Sequence, residues 1–541
     1  MGQKNLGHQV TLKDSLWTAA VADLLTPEFV KYLSLLNKKF AARRIQLLND
    51  RKIRAQRWDQ GAVPEYLDQK SEAASTNWQI AKLPEDLLTR RVEITGPVND
   101  RKMVINMLSR NEFGARADTA MLDFEDSMKP NWENIISGYH NVIGVSTGNL
   151  KAEKKDASGK VLKEYRLDPK DMALPMVRVR GLHLEEVNIL IDEAPISGGL
   201  LDLALCTFHT AKKFLEKGIT PKFYIPKTEH HHEARWWDDV LSEIETLLAL
   251  KPSSIRVTLL IETLPAAFQI EEILYEIRQH AAGLNVGRWD KIFSDIKVLK
   301  NHKNRISPDR SIITMKKPWM ENYAKRLIKI CHAHGAFAIG GMSAFTPGKD
   351  EKVRKEQTDK VQTDKKNEFS LGHDGCWVSH PYFIGHAMDA FPQKNQLTRQ
   401  LSDFSKCPDL LMEGSNQQTL AGLRTNVRVG IAYLQGWNNG LGCVAWDNLM
   451  EDLATLEISR AQVWQWLHHQ IKLTSGEVVN KNLVSTLFDQ ELENIFKELP
   501  EVYSVVDEKL KNQFRLAAKQ ALELFTRTEL PEFLSLRSEP A

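Results

Sequence analysis

Two carboxylates suggest what chemistry this sequence can do. Glu262 closes an uninterrupted apolar run at 257–261, and Asp290 follows twenty-eight positions later, in GLNVGRWDKIF. That interval is about one strand-helix-strand unit, roughly 30 residues, so the two acids can share one rim of a sheet. Two hard oxygen ligands on neighbouring strand ends, with room for waters and substrate oxygens, are what a catalytic Mg2+ asks for. A Glu paired with a nearby Arg and an Asp capping a helix would leave the same pattern, and spacing alone does not choose between these readings.

The elements around the pair set its frame. Residues 257–261 read as a strand buried on both faces, hence as part of a parallel sheet. After it, Ala267, Ile270, Leu274 and Ile277 fall at helical spacing. From about residue 90, short apolar runs alternate with helical patterns: 92–95, 121–124, 174–179, 223–226, 257–261, a segment within 284–293, 337–340 and 376–379. Eight strands alternating with helices predict an α/β fold, a (β/α)8 TIM barrel, with a doubly wound open sheet as the alternative. Polar residues gather where these strands end, at Asp123, Glu125 and Asp126, Arg178 and Arg180, Lys227 and Glu229, Glu262, and Ser379 to Pro381. In a barrel those ends form the catalytic face. For the sixth strand, a ligand role for Asp290 favours 284–289, although 291–296 has the better apolar pattern.

On either side of the barrel, taken as 89–395, the chain reads as helical. Residues 1–88 form an N-terminal helical segment with Phe29, Leu33, Leu36 and Phe40 on one face, and its basic run 38–57 reads as a solvated face. Residues 396–541 form a C-terminal helical domain. It contains Asp452, beside Leu449, Met450 and Leu453. Such neighbours can desolvate a carboxylate and make it a better base, but the residues alone favour an exposed, chemically silent acid near a helix start. The charged run 348–372 reads as a solvated loop or exposed helix ahead of the eighth strand.

Composition narrows the classes. With 72 basic and 70 acidic residues the formal net charge is +2, so no field for nucleic acid is present. Five scattered cysteines without C-x-x-C spacing argue against a zinc site and a disulfide framework. The N-terminus lacks a signal-peptide core, no 18-residue apolar run occurs, and SEPA is not a peroxisomal tripeptide, so the cytoplasm is expected and a membrane is not. His230, His231 and His232 are consecutive and should not point to one side, which disfavours a shared metal. His373 and Asp374 are read as shaping a turn, and Gly340-Gly341 as letting a substrate approach the backbone. No G-x-S-x-G elbow, Walker A loop or Rossmann glycine motif is present.

The stretch 278–293, RQHAAGLNVGRWDKIF, is close to [KR]-x-H-x-x-G-L-N-x-G-x-W-D-Y-x-F, the string characteristic of malate synthases of the shorter, A-type class. It departs at Lys291, where that family usually has Tyr. Supporting stretches are ITGPVNDRKMVINML from Ile94, DFEDSMKPNWEN from Asp123, VRVRGLHLEE from Val177, GGMSAF from Gly340, GHDGCWVSHP from Gly372 and NLMEDLATLEISRAQVWQW from Asn448. The chain resembles the family across the barrel and the C-terminal helices.

The resemblance implies an acyltransferase that condenses glyoxylate with acetyl-CoA to malate and CoA, a step of the glyoxylate bypass, with Mg2+ as cofactor. It implies Glu262 and Asp290 as Mg2+ ligands, Arg178 as the active-site arginine and Asp452 as the catalytic base. Arg178, Glu262, Gly287, Arg288, Trp289 and Asp290 would surround glyoxylate, and Arg101, Ser127 and Pro381 would contact CoA. The competing readings are a lyase of the citrate-lyase β or malyl-CoA class, whose chains are shorter and lack the region carrying Asp452, and a non-catalytic barrel scaffold. Small-molecule substrates are the expected partners, no oligomer is predicted and a monomer suffices.

Overall fold

The computed structural model describes residues 2–156 and 158–534. Eight parallel strands close into a barrel in chain order: β1 (Val92–Pro97), β2 (Thr119–Asp123), β3 (Leu174–Arg178), β4 (Lys222–Ile225), β5 (Arg256–Ile261), β6 (Ala281–Val286), β7 (Phe337–Ser343) and β8 (Gly375–Val378). The last strand pairs with the first, β8 with β1 from Cys376↔Val92 to Val378↔Ile94, and this closure excludes the open-sheet alternative. β5 is buried along its whole length, because one face meets the barrel interior and the other the surrounding helices. Met121, Met176, Tyr224, Leu260, Ala282, Phe337, Ile339 and Trp377 form the interior cluster, distinct from the larger core outside.

The N-terminal region is helical only in part. Strands Gln3–Gly7 and Val10–Lys13 pair with Glu185–Ile191 and Ala194–Ser197 in a small four-stranded sheet. They are short, and the first is largely exposed, so no apolar pattern announces them. Helix α1 (Pro27–Asp59) then runs along the barrel, with Phe29, Leu33, Leu36 and Phe40 buried as the spacing predicts. Its basic run is not simply solvated, since Arg44 and Arg51 are buried. α1 packs on α2 (His231–Leu247), the helix after β4, where Trp236 Nε1 donates to the carbonyl of Phe40 at 3.1 Å.

β6 ends at Val286, earlier than a strand reaching Asp290 would. Asp290 lies instead in the first turn of α3 (Arg288–Leu299), and the apolar residues of 291–296 are the buried face of that helix. The charged run before β8 is a regular barrel helix, α4 (Glu351–Leu371), capped by the Asp350 side chain and by Gly372 in the left-handed conformation. One stripe is buried, including Gln357, Val361, Lys365 and Glu368, while most of its charges face solvent.

Helices α5 (Leu420–Asn438), α6 (Leu453–His468), α7 (Lys481–Val502) and α8 (Glu508–Phe525) share a second apolar core that includes Trp466, Phe488, Phe514 and Phe525. α6 also packs against α3 of the barrel. Between α5 and α6 a hairpin, Val444–Trp446 with Leu449–Glu451, turns through Asp447 and Asn448, both at positive φ as a two-residue turn requires. Its Met450 N–H donates to the carbonyl of Ala344, just past β7, at 2.8 Å. Among the described residues no helix is long and apolar enough to cross a membrane.

Candidate active site

The strand ends converge on one cavity of about 930 Å3. Ser127, Arg178, Glu262, Gly287, Arg288, Trp289, Asp290, Pro381 and Asp452 all line it. Arg101 does not: it is exposed in the first turn of the helix Arg101–Leu108, and its Nε donates to Asn141 Oδ1 at 3.1 Å.

Arg178, the last residue of β3, forks onto Asp123, the last residue of β2, with Nε to Oδ1 at 2.7 Å and Nη2 to Oδ2 at 2.6 Å. The fork fixes the guanidinium plane. Burial alone would raise the Asp123 carboxyl, yet Arg178 holds it below the usual carboxylate range. The free edge of Arg178 faces Glu125 Oε2 at 3.5 Å and Asp126 Oδ2 at 3.9 Å. Lys227, two residues past β4, places Nζ 2.5 Å from Asp126 Oδ2, 2.9 Å from Asp290 Oδ1, 3.3 Å from Glu125 Oε1 and 3.6 Å from Glu262 Oε1.

Glu262 and Asp290 meet because Gly287 lets them. A Cβ at Gly287 would lie 2.5 Å from Glu262 Cβ and 2.8 Å from its Oε2. The Gly287 N–H donates to Tyr323 Oη at 3.1 Å, and that hydroxyl donates to the carbonyl of Ile261, joining the end of β5 to the start of α3. As the N-cap of α3, Gly287 supplies no capping side chain. The first-turn N–H groups of α3 are therefore available to a carboxylate.

Asp452 arrives from the C-terminal domain and stands at a helix start as the sequence suggests, but it is buried and not exposed. It is the N-cap of α6 in a capping box with Thr455. The next residue, Leu453, donates its N–H to the carbonyl of Asp126 at 3.5 Å, which ties Asp452 to the acid loop after β2. Burial, and then the Asp126 carboxylate, push Asp452 up to about 7, against the pull of Arg178 and Lys227.

The donor set fits a divalent cation. Among the described residues, six buried acids, Asp123, Glu125, Asp126, Glu262, Asp290 and Asp452, gather around Arg178 and Lys227. Glu125 Oε2, Asp126 Oδ1 and Asp290 Oδ1 make no hydrogen bond; Lys227 reaches the last only as an ion pair. Burial raises the Asp290 and Glu125 carboxyls, Glu262 adding to the first and Asp126 to the second. All-oxygen ligation of this kind suits Mg2+.

Lys227 and the 123–126 acids belong to the strand-end pattern, but nothing in the residues marks Lys227 as the hub of the acids. Lys291 is buried away from the cavity lining, and its Nζ pairs with Asp295 Oδ1 at 2.5 Å. Burial raises Asp295 to about 6 despite that partner. The histidine rings at 230–232 gather, contrary to expectation, with ligand atoms within 4.8 Å of one another, but none lines the cavity. Gly340 admits the Glu368 carboxylate of α4 rather than a substrate, since a Cβ there would lie 2.6 Å from Oε2. Asp374 accepts from the Ala338 and Gln396 N–H groups and lies 3.0 Å from His332 Nε2, so it ties distant segments together and does not shape the local turn expected of it.

Three family models match the chain: "Malate synthase, N-terminal domain" over 18–72, "Malate synthase, TIM barrel domain" over 174–411 and "Malate synthase, C-terminal" over 417–539. Among curated relatives, malate synthase of Myxococcus xanthus is 44% identical, covering 89% of this chain and 88% of that one. Malate synthase A of Escherichia coli is 42% identical, with 95% and 94% covered. A glyoxysomal malate synthase of Candida tropicalis is 39% identical, with 92% and 90% covered. Among solved structures, a citrate lyase beta subunit from M. tuberculosis has a TM-score of 0.36 at 15% identity, covering 57% of this chain and 100% of that one.

Proposed function

The chain belongs to the malate synthase family and condenses acetyl-CoA with glyoxylate to malate and CoA, and we propose that Glu262 and Asp290 hold its Mg2+ while Arg178 and Asp452 do the chemistry. The observation that carries the residue roles is the meeting of a desolvated carboxylate, Asp452, with a fixed guanidinium, Arg178, beside the buried pair Glu262 and Asp290, whose Asp290 Oδ1 makes no hydrogen bond and only an ion pair with Lys227.

When bound, Mg2+ polarises the aldehyde of glyoxylate as a Lewis acid. Glyoxylate's carboxylate rests on the open first turn of α3, from Gly287 to Asp290, with Arg288 and Trp289 beside it. Asp452 takes a proton from the methyl group of acetyl-CoA, a weak carbon acid, and its raised pKa makes it a stronger base than an ordinary carboxylate. Arg178 keeps its charge throughout, because burial is outweighed by Asp123, so it stabilises the enolate oxygen and then the alkoxide without exchanging a proton. Ser127 and Pro381, at the cavity wall, contact the CoA portion. Water then hydrolyses the malyl-CoA thioester. The three units are taken as 1–88, 89–395 and 396–541, and the chain is assigned to the cytoplasm, acting on small molecules.

Asp452→Asn tests the assignment. Malate formation from acetyl-CoA should fall by about 10^3-fold, within the range of a lost general base, while calorimetric Mg2+ and glyoxylate binding stays near wild type. Near-normal turnover in that variant refutes the role.

A further inference from the structure

The long helix α1 lies outside the barrel, yet one of its side chains supports the metal face from behind. Arg51 is buried, 7% exposed. Its Nε and Nη2 fork onto the Glu233 carboxylate at 2.8 and 2.6 Å, and the same Nη2 donates to the carbonyl of Lys227 at 2.7 Å. Glu229 adds a carboxylate oxygen 3.9 Å from Nε.

Lys227 has a φ of +54°, in the left-handed region that residues other than glycine seldom occupy. From that conformation its N–H donates to Glu262 Oε1 at 2.8 Å while its side chain runs in among the acids. Both functions need this one residue. Glycine would take the turn freely but carry no ammonium, so a lysine must be held there by its surroundings. Its carbonyl is the handle, and Arg51 grips it.

We propose that Arg51 is a positioning residue for the Mg2+ ligand Glu262, acting through the peptide frame of Lys227; the inference rests on the ligand assignment made above. A guanidinium can fork onto a carboxylate and still donate to a carbonyl, whereas an ammonium in its place lacks that planar reach. Without the grip the Lys227 carbonyl is left buried and unpaired, the left-handed turn relaxes, and the N–H leaves Glu262. The N-terminal helix thereby takes part in metal binding through a single side chain. Arg43, on the same helix, pairs with Asp239 of α2 and has no bond to residue 227, so it reports helix docking alone.

The test titrates Mg2+ by calorimetry into full-length wild type, Arg51→Met, Arg51→Lys, Arg43→Met and Glu262→Gln, with steady-state kinetics alongside. Arg51→Met should weaken Mg2+ by about tenfold or more, the effect typical of losing a group that orients a metal ligand, and raise KM for glyoxylate in proportion with kcat little changed. Arg51→Lys should shift in the same direction and stands in if the methionine variant does not fold. Arg43→Met should bind Mg2+ as wild type does. A folded Arg51 variant with wild-type Mg2+ affinity, or an Arg43→Met that weakens Mg2+ equally, overturns the proposal. Unchanged Mg2+ binding by Glu262→Gln would instead overturn the ligand assignment beneath it.

Discussion

Asp452 shows how one side chain can hold a helix and still do chemistry. Its carboxylate caps α6 through the Thr455 N–H at 3.3 Å, and its burial raises its pKa to about 7. The folded protein therefore binds this proton more tightly than the unfolded chain does. On linkage, that costs stability progressively as pH rises from the usual carboxylate range towards 7. Activity runs the other way, because only the ionised form accepts a proton. The pH profile of kcat/KM should show an acid limb near pH 7, or somewhat lower with the cation alongside; a profile flat down to pH 5 would remove Asp452 from the role. This behaviour was not legible in the residues, since the apolar neighbours Leu449, Met450 and Leu453 suggest desolvation only weakly. Beyond burial, the acid that raises Asp452 is Asp126, from the loop after β2, more than 300 positions away. Lys291 is the converse case: a charge next to a metal ligand whose partner, Asp295, stands one helical turn further on.

Among the elements, the junction of β6 and α3 sets the spacing of the metal pair. Gly287 is the only side-chain-free position between the Asn285–Val286 strand end and Asp290, and its missing Cβ is the space that Glu262 fills. Gly287→Ala should fold but bind Mg2+ about tenfold or more weakly, since a displaced ligand forfeits affinity; calorimetry returning the wild-type constant would show that the close approach is dispensable. The barrel itself was readable, because runs such as 257–261 carry no charged residue and recur at the right intervals. β6 was misplaced for a physical reason. Ala281–Val286 carries Gly283 and Asn285, poor strand formers, while Ile292, Phe293 and Ile296 of α3 mimic a strand's apolar run. The two N-terminal strands escaped because most of their side chains meet solvent or lie only half covered.

At the scale of the molecule, the proposed base caps α6, which packs into both the barrel core and the C-terminal core, while the proposed metal ligands stand on the barrel, so their registration is a docking problem. Arg310, from the barrel segment after α3, reaches Glu451 Oε1 at 3.5 Å and Ser459 Oγ at 3.3 Å, gripping the hairpin end and α6 on either side of Asp452. Arg310→Met should lower kcat by roughly 10- to 100-fold, the scale of an ångström-sized misplacement, and leave Mg2+ affinity unchanged; a loss of Mg2+ affinity with kcat preserved would place Arg310 in the barrel site instead. None of this docking was legible from a single chain read in windows, because each contact joins residues well over a hundred positions apart. The separation also orders events during synthesis. The last barrel strand ends at Val378, and Asp452 follows 74 residues later, on the order of several seconds at ordinary translation rates. A nascent chain thus owns its acid cluster before Asp452, the proposed base, and cannot deprotonate acetyl-CoA through it until the C-terminal helices that hold it have been made.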